Sequence, residues 1–177
     1  MSPNPGESAA SLASRLARAN YVPLREFLRD MGIKPSDLLA GEDVALQRLA
    51  ALSGIPVAEI GAGTLRFQGD DAWFGDVRFP SRMVGGRLVR GCPDCLQIQP
   101  GLLGIWSLPF VMICPEHRRP LITLWAVQDE LDRHDVASRL PELELRDETL
   151  PAQRDVSEFE RWFFRKAQRT GEQGRLA

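Results

Sequence analysis

Two short segments of the same form constrain this chain more than anything else in it: Cys92-Pro93-Asp94-Cys95 and Cys114-Pro115-Glu116-His117. Each holds two metal-ligand side chains with two residues between them, so a tight knuckle can bring both to one side of the backbone. Proline follows the first ligand in both, where it restricts the turn and removes a competing N–H. Two such pairs, separated by the insert 96–113, have the form of a tetrahedral Cys3His zinc site. They use all three cysteines and one of the two histidines. No thiol is left over for a disulfide framework or a nucleophile.

A full set of four ligands leaves no position for a reacting water, so the expected cofactor is one structural Zn2+ held by Cys92, Cys95, Cys114 and His117. Zinc deaminases combine a PCxxC pair with an upstream His-x-Glu, whereas His117 and His134 both follow the first pair here. No HExxH helix exists, and Gly61-Ala62-Gly63 lacks the Lys-Ser/Thr of a phosphate loop. No catalytic residue is expected. His134, between Arg133 and Asp135, reads as a solvated surface histidine.

The net charge of −2 gives no global attraction to nucleic acid. The knuckle region is nonetheless slightly basic, and the segment after it acidic. Arg118 and Arg119, next to the second knuckle, are the first choice for phosphate or partner contact, with Arg82 and Arg87 behind them. Arg78 belongs to the same face, and Arg90 is expected to brace the first knuckle. Thiols reserved for metal imply a reducing compartment. No apolar run follows the polar start of the chain, and the run 106–114 is broken by Pro109 and too short to span a bilayer. The expected location is the cytoplasm.

The first third has helical periodicity. Ala9, Leu12, Ala13, Leu16 and Ala19 recur behind Ser8, a suitable N-cap. Leu24, Phe27, Leu28 and Met31 form a second stripe after Pro23, ended by Gly32. Pro35 and Ser36 mark a break. A third helix is expected over 42–53 and a fourth from Val57. Periodicity then fades over 61–91, which reads as irregular chain pinned by Trp73, Phe74 and Phe79. Short strands are expected at 87–90 and 121–125, a helix over 127–140 and an acidic connector over 141–154. Asp155-Val156-Ser157-Glu158 would cap a last helix carrying Phe159, Trp162 and Phe163, frayed after Thr170. The aromatics Trp73, Phe74, Phe79 and Trp106 are expected in the core, and Trp162 with Phe163 either in the core or on a docking stripe.

Ala50, Gly54 and Ile60 have the relative spacing of a helix-turn-helix: a small residue at the helix contact, glycine at the turn and an apolar anchor in the second helix. The second helix, 56–64, offers no arginine, asparagine or glutamine to a base edge, which direct readout ordinarily uses.

The order of these features resembles the TniQ family of target-selection proteins from Tn7-like transposition systems. The segments 7–20, 24–31 and 46–60 are similar to its opening. Val89-Arg-Gly-Cys-Pro-Asp-Cys-Leu96, Trp106 and Ile113-Cys-Pro-Glu-His-Arg-Arg-Pro-Leu121 are similar to its zinc-finger core. The chain lacks the further cysteine pair that many members carry, and is comparable to the short forms. The resemblance implies an α+β, mainly α fold: a helical region with the hairpin (1–65), a zinc-ribbon or zinc-finger subdomain (66–125) and a C-terminal helical segment (126–177). It also implies a non-enzymatic adaptor that binds DNA or a nucleoprotein complex and recruits an AAA+ ATPase and transposase. A stand-alone helix-turn-helix regulator is the alternative, and a zinc hydrolase or deaminase a weaker one. Oligomeric state is open, a homodimer included.

Overall fold

The structure, a computed structural model, describes residues 3–84, 88–143 and 152–173. It is a mixed α/β chain in which helices predominate. None of its described helices is long and apolar enough to cross a membrane.

The helical opening follows the sequence pattern closely. Helix α1 (Ala9–Ala19) starts at Ser8, whose hydroxyl accepts the Ser11 N–H at 3.3 Å. Helix α2 (Leu24–Asp30) ends before Gly32, which takes a φ of 64°. The expected break at Pro35 is instead the first turn of a short helix, α3 (Pro35–Leu39), because a first-turn proline loses no intrahelical hydrogen bond. Helices α4 (Asp43–Ser53) and α5 (Val57–Ala62) form a hairpin that turns at Gly54, whose φ of 71° favours a residue without Cβ. Leu12, Leu28, Leu38, Leu46, Leu49 and Ile60 fill the core between these helices.

The stretch expected to be irregular is a three-stranded antiparallel sheet. Strands β1 (Arg66–Gln68), β2 (Asp71–Phe74) and β3 (Val77–Pro80) are joined by two-residue turns, Gly69-Asp70 and Gly75-Asp76. Glycine has positive φ in both turns, as tight hairpins require. Ala72, Phe74 and Phe79 face inward, whereas Trp73 lies half-buried on the opposite face with the Arg78 guanidinium 5.9 Å from its ring centre. Trp73 is therefore not a core residue like Phe74: alternation along β2 turns it outward.

Strand β4 (Leu88–Gly91) leads into helix α6 (Pro93–Ile98) and pairs antiparallel with β5 (Ile122–Ala126). These are the two strands expected around the knuckles. The helix expected over 127–140 is broken into α7 (Glu130–Arg133) and α8 (Val136–Arg139). Asp129 caps α7 by accepting the Asp132 N–H, and the chain turns again at His134 and Asp135. Most of the acidic connector, residues 144–151, lies outside the described residues.

The last helix, α9 (Glu158–Gln173), is capped two residues later than expected, at Ser157 rather than Asp155. Ser157 and Glu160 form the capping box: Ser157 Oγ accepts the Glu160 N–H, and the Glu160 carboxylate accepts from the Ser157 N–H and hydroxyl. The expected fraying point, Thr170, is within the helical backbone. Phe163 is buried against Phe74 and Phe110, with Phe164 buried beside it, while Trp162 is 44% exposed, so Trp162 and Phe163 divide between surface and core.

Candidate metal centre

Each half of the centre is a knuckle set up by a strand. β4 delivers Cys92 to the N-cap of α6, and one turn of that helix carries Cys95 back towards it. The second knuckle closes as a small hairpin: the Cys114 N–H donates to Arg119 O and the Arg118 N–H to Cys114 O, both at 2.9 Å. Arg118 takes a φ of 52° to complete this turn.

The four candidate ligand atoms, three Sγ and one imidazole nitrogen, lie within 4.8 Å of one another. Cys95 Sγ is 3.6 Å from Cys114 Sγ, and His117 Nδ1 is 3.7 Å from Cys92 Sγ, 3.2 Å from Cys95 Sγ and 3.7 Å from Cys114 Sγ. Zinc–sulfur bonds of about 2.3 Å and zinc–nitrogen bonds of about 2.0 Å give tetrahedral edges of roughly 3.8 Å between sulfurs and roughly 3.5 Å from sulfur to nitrogen. The spacing therefore suits a small tetrahedral cation, and the residues fit the metal expected of them.

Proton sharing points the same way. Hydrogen bonds from Cys92 and Cys95 push Cys114 down towards the thiolate, while the contact with Cys114 pushes Cys92 and Cys95 up. Three sulfurs this close do not ionise together on their own. A divalent cation suits such a set, since every sulfur can then donate as thiolate.

Surrounding residues fix the two knuckles to each other. Arg119 Nε donates to Asp94 at 2.7 Å, joining the turn after His117 to the turn between Cys92 and Cys95. The Arg90 guanidinium donates to the carbonyls of Trp106, Leu108 and Val111, and so braces the insert against β4. Gly91 allows this crowding, because a Cβ there would stand 2.8 Å from the Leu124 side chain and 3.0 Å from that of Leu96. Trp106 and Leu96 are buried beside the ligands.

The arginines singled out in the sequence are placed differently from one another. Arg119 is mostly buried in its ion pair with Asp94. Arg118 is exposed, 3.7 Å from Asp155. Arg82 is exposed in a turn after β3, and Arg87 lies outside the described residues. Arg78 pairs with Asp71 across the sheet at 2.5 Å.

His134 is a correction. Its Nδ1 is buried, without a hydrogen-bond partner among the described residues, and the side chain lines a cleft of about 540 Å³. The break between α7 and α8 turns it inward, which an unbroken charged helix would not have done. Sequence reasoning also passed over Glu160, whose Oε1 accepts the N–H groups of Met112 and Ile113 and so ties α9 to the residues just before Cys114.

A family model described as TniQ matches residues 1–121, a span that contains all four candidate ligands. No curated protein matches the chain.

Proposed function

The chain belongs to the TniQ family, and on that premise we propose that it is a zinc-containing, non-enzymatic adaptor for choosing transposition target sites. In this reading it binds DNA or a nucleoprotein complex in the cytoplasm and recruits an AAA+ ATPase and transposase. The segments 1–65, 66–125 and 126–177 serve as its helical, zinc-finger and C-terminal parts. The observation that carries the reading is the convergence of Cys92, Cys95, Cys114 and His117 at tetrahedral spacing within the family-matched residues.

Bound at these four residues, zinc would supply a rigid cross-link between β4 and the hairpin before β5. What remains is the work of the chain itself. Arg119 and Asp94 lock the knuckles face to face, Arg90 holds the insert, and Arg118 is left outside for phosphate or a carboxylate. Arg82, which is exposed, and Arg87, which lies outside the described residues, are further candidates for such contact from their place in the sequence. The α4–α5 hairpin supports the family reading more than an independent regulator, since the exposed face of α5 presents Val57, Ala58 and Glu59 rather than base-reading side chains.

The test combines metal content with recruitment. Purified protein is expected to hold one zinc per chain by elemental analysis, and an AAA+ ATPase from a Tn7-like system is expected to co-purify with it. Cys92→Ser should lose both, with partial unfolding by circular dichroism. A metal-free, folded wild type would overturn the zinc assignment. A zinc-loaded protein that captures neither the ATPase nor DNA would overturn the adaptor.

A further inference from the structure

Helix α9 lies beyond the residues matched by the family, and its two faces differ sharply. Glu160, Phe163, Phe164 and Ala167 point inward and are buried. Phe159 and Trp162 point outward, 53% and 44% exposed, with ring centres 5.8 Å apart. Phe159 meets the edge of Phe110 at 5.4 Å, and Met112 in the same insert is 46% exposed. The result is an apolar strip that runs from the insert onto the helix.

The exposed charges around this strip are mostly positive. Arg15, Arg25, Arg66, Arg78, Arg118, Arg119 and Arg133 each have a carboxylate partner. Arg154, Arg161, Arg165 and Lys166 are exposed and have no ion pair among the described residues. The same is true of Arg18, Lys34, Arg48 and Arg82 elsewhere, but the first four are gathered on one short stretch beside the strip. Lys166 falls on the same side of the helix as Phe159 and Trp162, at spacings of three, four and seven residues. Asp155 and Glu158 are the exposed acidic groups between Arg154 and Lys166, and Asp155 already faces Arg118.

We propose that the outward face of α9, with Phe110 and Met112, docks an acidic amphipathic segment of a partner protein. The partner's aliphatic side chains lie on the Phe110–Phe159–Trp162 strip, and its carboxylates meet Arg165 and Lys166. Charge complementarity selects this occupant, since the strip is bordered by four exposed cations that have no ion pair among the described residues. Exposed aromatic residues flanked by arginine are the usual energetic centre of such a contact. A nucleic acid fits less well. Phe159 packs edge-to-face with Phe110 and is tilted 31° against Trp162, so the rings do not form a row of parallel faces for successive bases, and Glu158 would repel the backbone. The proposal concerns a surface apart from the metal centre and stands whether or not Arg118 contacts phosphate.

The experiment is fluorescence anisotropy with the full chain and three labelled probes: a leucine–glutamate helix, the same helix with glutamine for glutamate, and a single-stranded oligonucleotide. The leucine–glutamate helix is expected to bind about tenfold or more tightly than its glutamine counterpart, and less tightly as salt rises. Trp162→Ala and the double variant Arg165→Glu, Lys166→Glu should each weaken it about tenfold, with the circular dichroism spectrum of a folded chain retained in both. Equal binding of the two helices, or undiminished binding by folded Trp162→Ala, overturns the proposal. So does an oligonucleotide that binds more tightly than either helix and is lost in Trp162→Ala, which would assign the strip to nucleic acid.

Discussion

His134 sits at the break between α7 and α8 with its Nδ1 buried and Arg133 beside it. Burial, reinforced by the Arg133 charge, lowers its pKa to about 4, whereas an unfolded histidine titrates near its ordinary 6.5. The sign of the consequence follows. Above pH 6.5 both states are neutral and the full stability is present; as pH falls towards 4 the unfolded chain takes up the proton first, so stability drains away. Between pH 7 and pH 5 the loss is expected to be about 1–2 kcal/mol. The metal ligands also respond to acid, so the measurement is a comparison: urea melts of wild type and His134→Gln at both values. The variant should lose less stability than wild type over this interval, and parallel losses would show that the imidazole is better solvated than its burial implies.

At the scale of elements, α9 is secured to the candidate metal centre by one carboxylate. Burial alone would raise the Glu160 pKa, but hydrogen bonds from Ser157, Met112 and Ile113 outweigh it and hold it below the ordinary carboxylate range. Glu160→Ala removes a helix cap and leaves two N–H groups beside Cys114 unsatisfied. A cost of about 2–3 kcal/mol is expected, with faster amide exchange at Met112 and Ile113 than in wild type. Unchanged exchange there would mean that Phe163 alone docks the helix. This link was not legible in advance, because a capping box reports a helix start and says nothing of a second use for its glutamate. Elements with strong local signals were legible: α1, α4, β4 and β5 lie where periodicity and the knuckles put them, and the four ligand side chains do converge. The small sheet was missed although Gly69-Asp70 and Gly75-Asp76 are good two-residue turns. Strands of three and four residues give too few alternations to declare a period of two. His134 was misread for a related reason: charged neighbours suggest a surface helix unless its interruption is known.

For the molecule as a whole, the decisive contacts gather where the N-terminal segment, the end of α5 and the insert between the knuckles meet. Glu7 and Leu103 form an isolated β-bridge, and the Gly104 N–H donates to Gly6 O at 3.1 Å. Two serines of α1 extend the seam: Ser11 Oγ accepts the Leu102 N–H and donates to buried Glu7, while Ser14 donates to Asp135. The knuckles are thereby joined to the helices through backbone. Side-chain packing could yield to a new group; this junction cannot. A Cβ on Gly104 would overlap the Gly63 carbonyl oxygen and press on the Phe74 ring at 3.2 Å. Gly104→Ala is therefore expected to cost about 2–3 kcal/mol, against about 1 kcal/mol for Gly54→Ala, where the penalty is the positive φ alone. The difference should also appear in cooperativity. Wild-type helices, followed by far-ultraviolet circular dichroism, should unfold together with release of the proposed zinc, followed by a chromogenic chelator. In Gly104→Ala the metal should leave at lower urea than the helices melt. Coincident transitions in that variant would show that the seam does not couple the two parts, and that contacts such as Leu131 in the helical core do so instead.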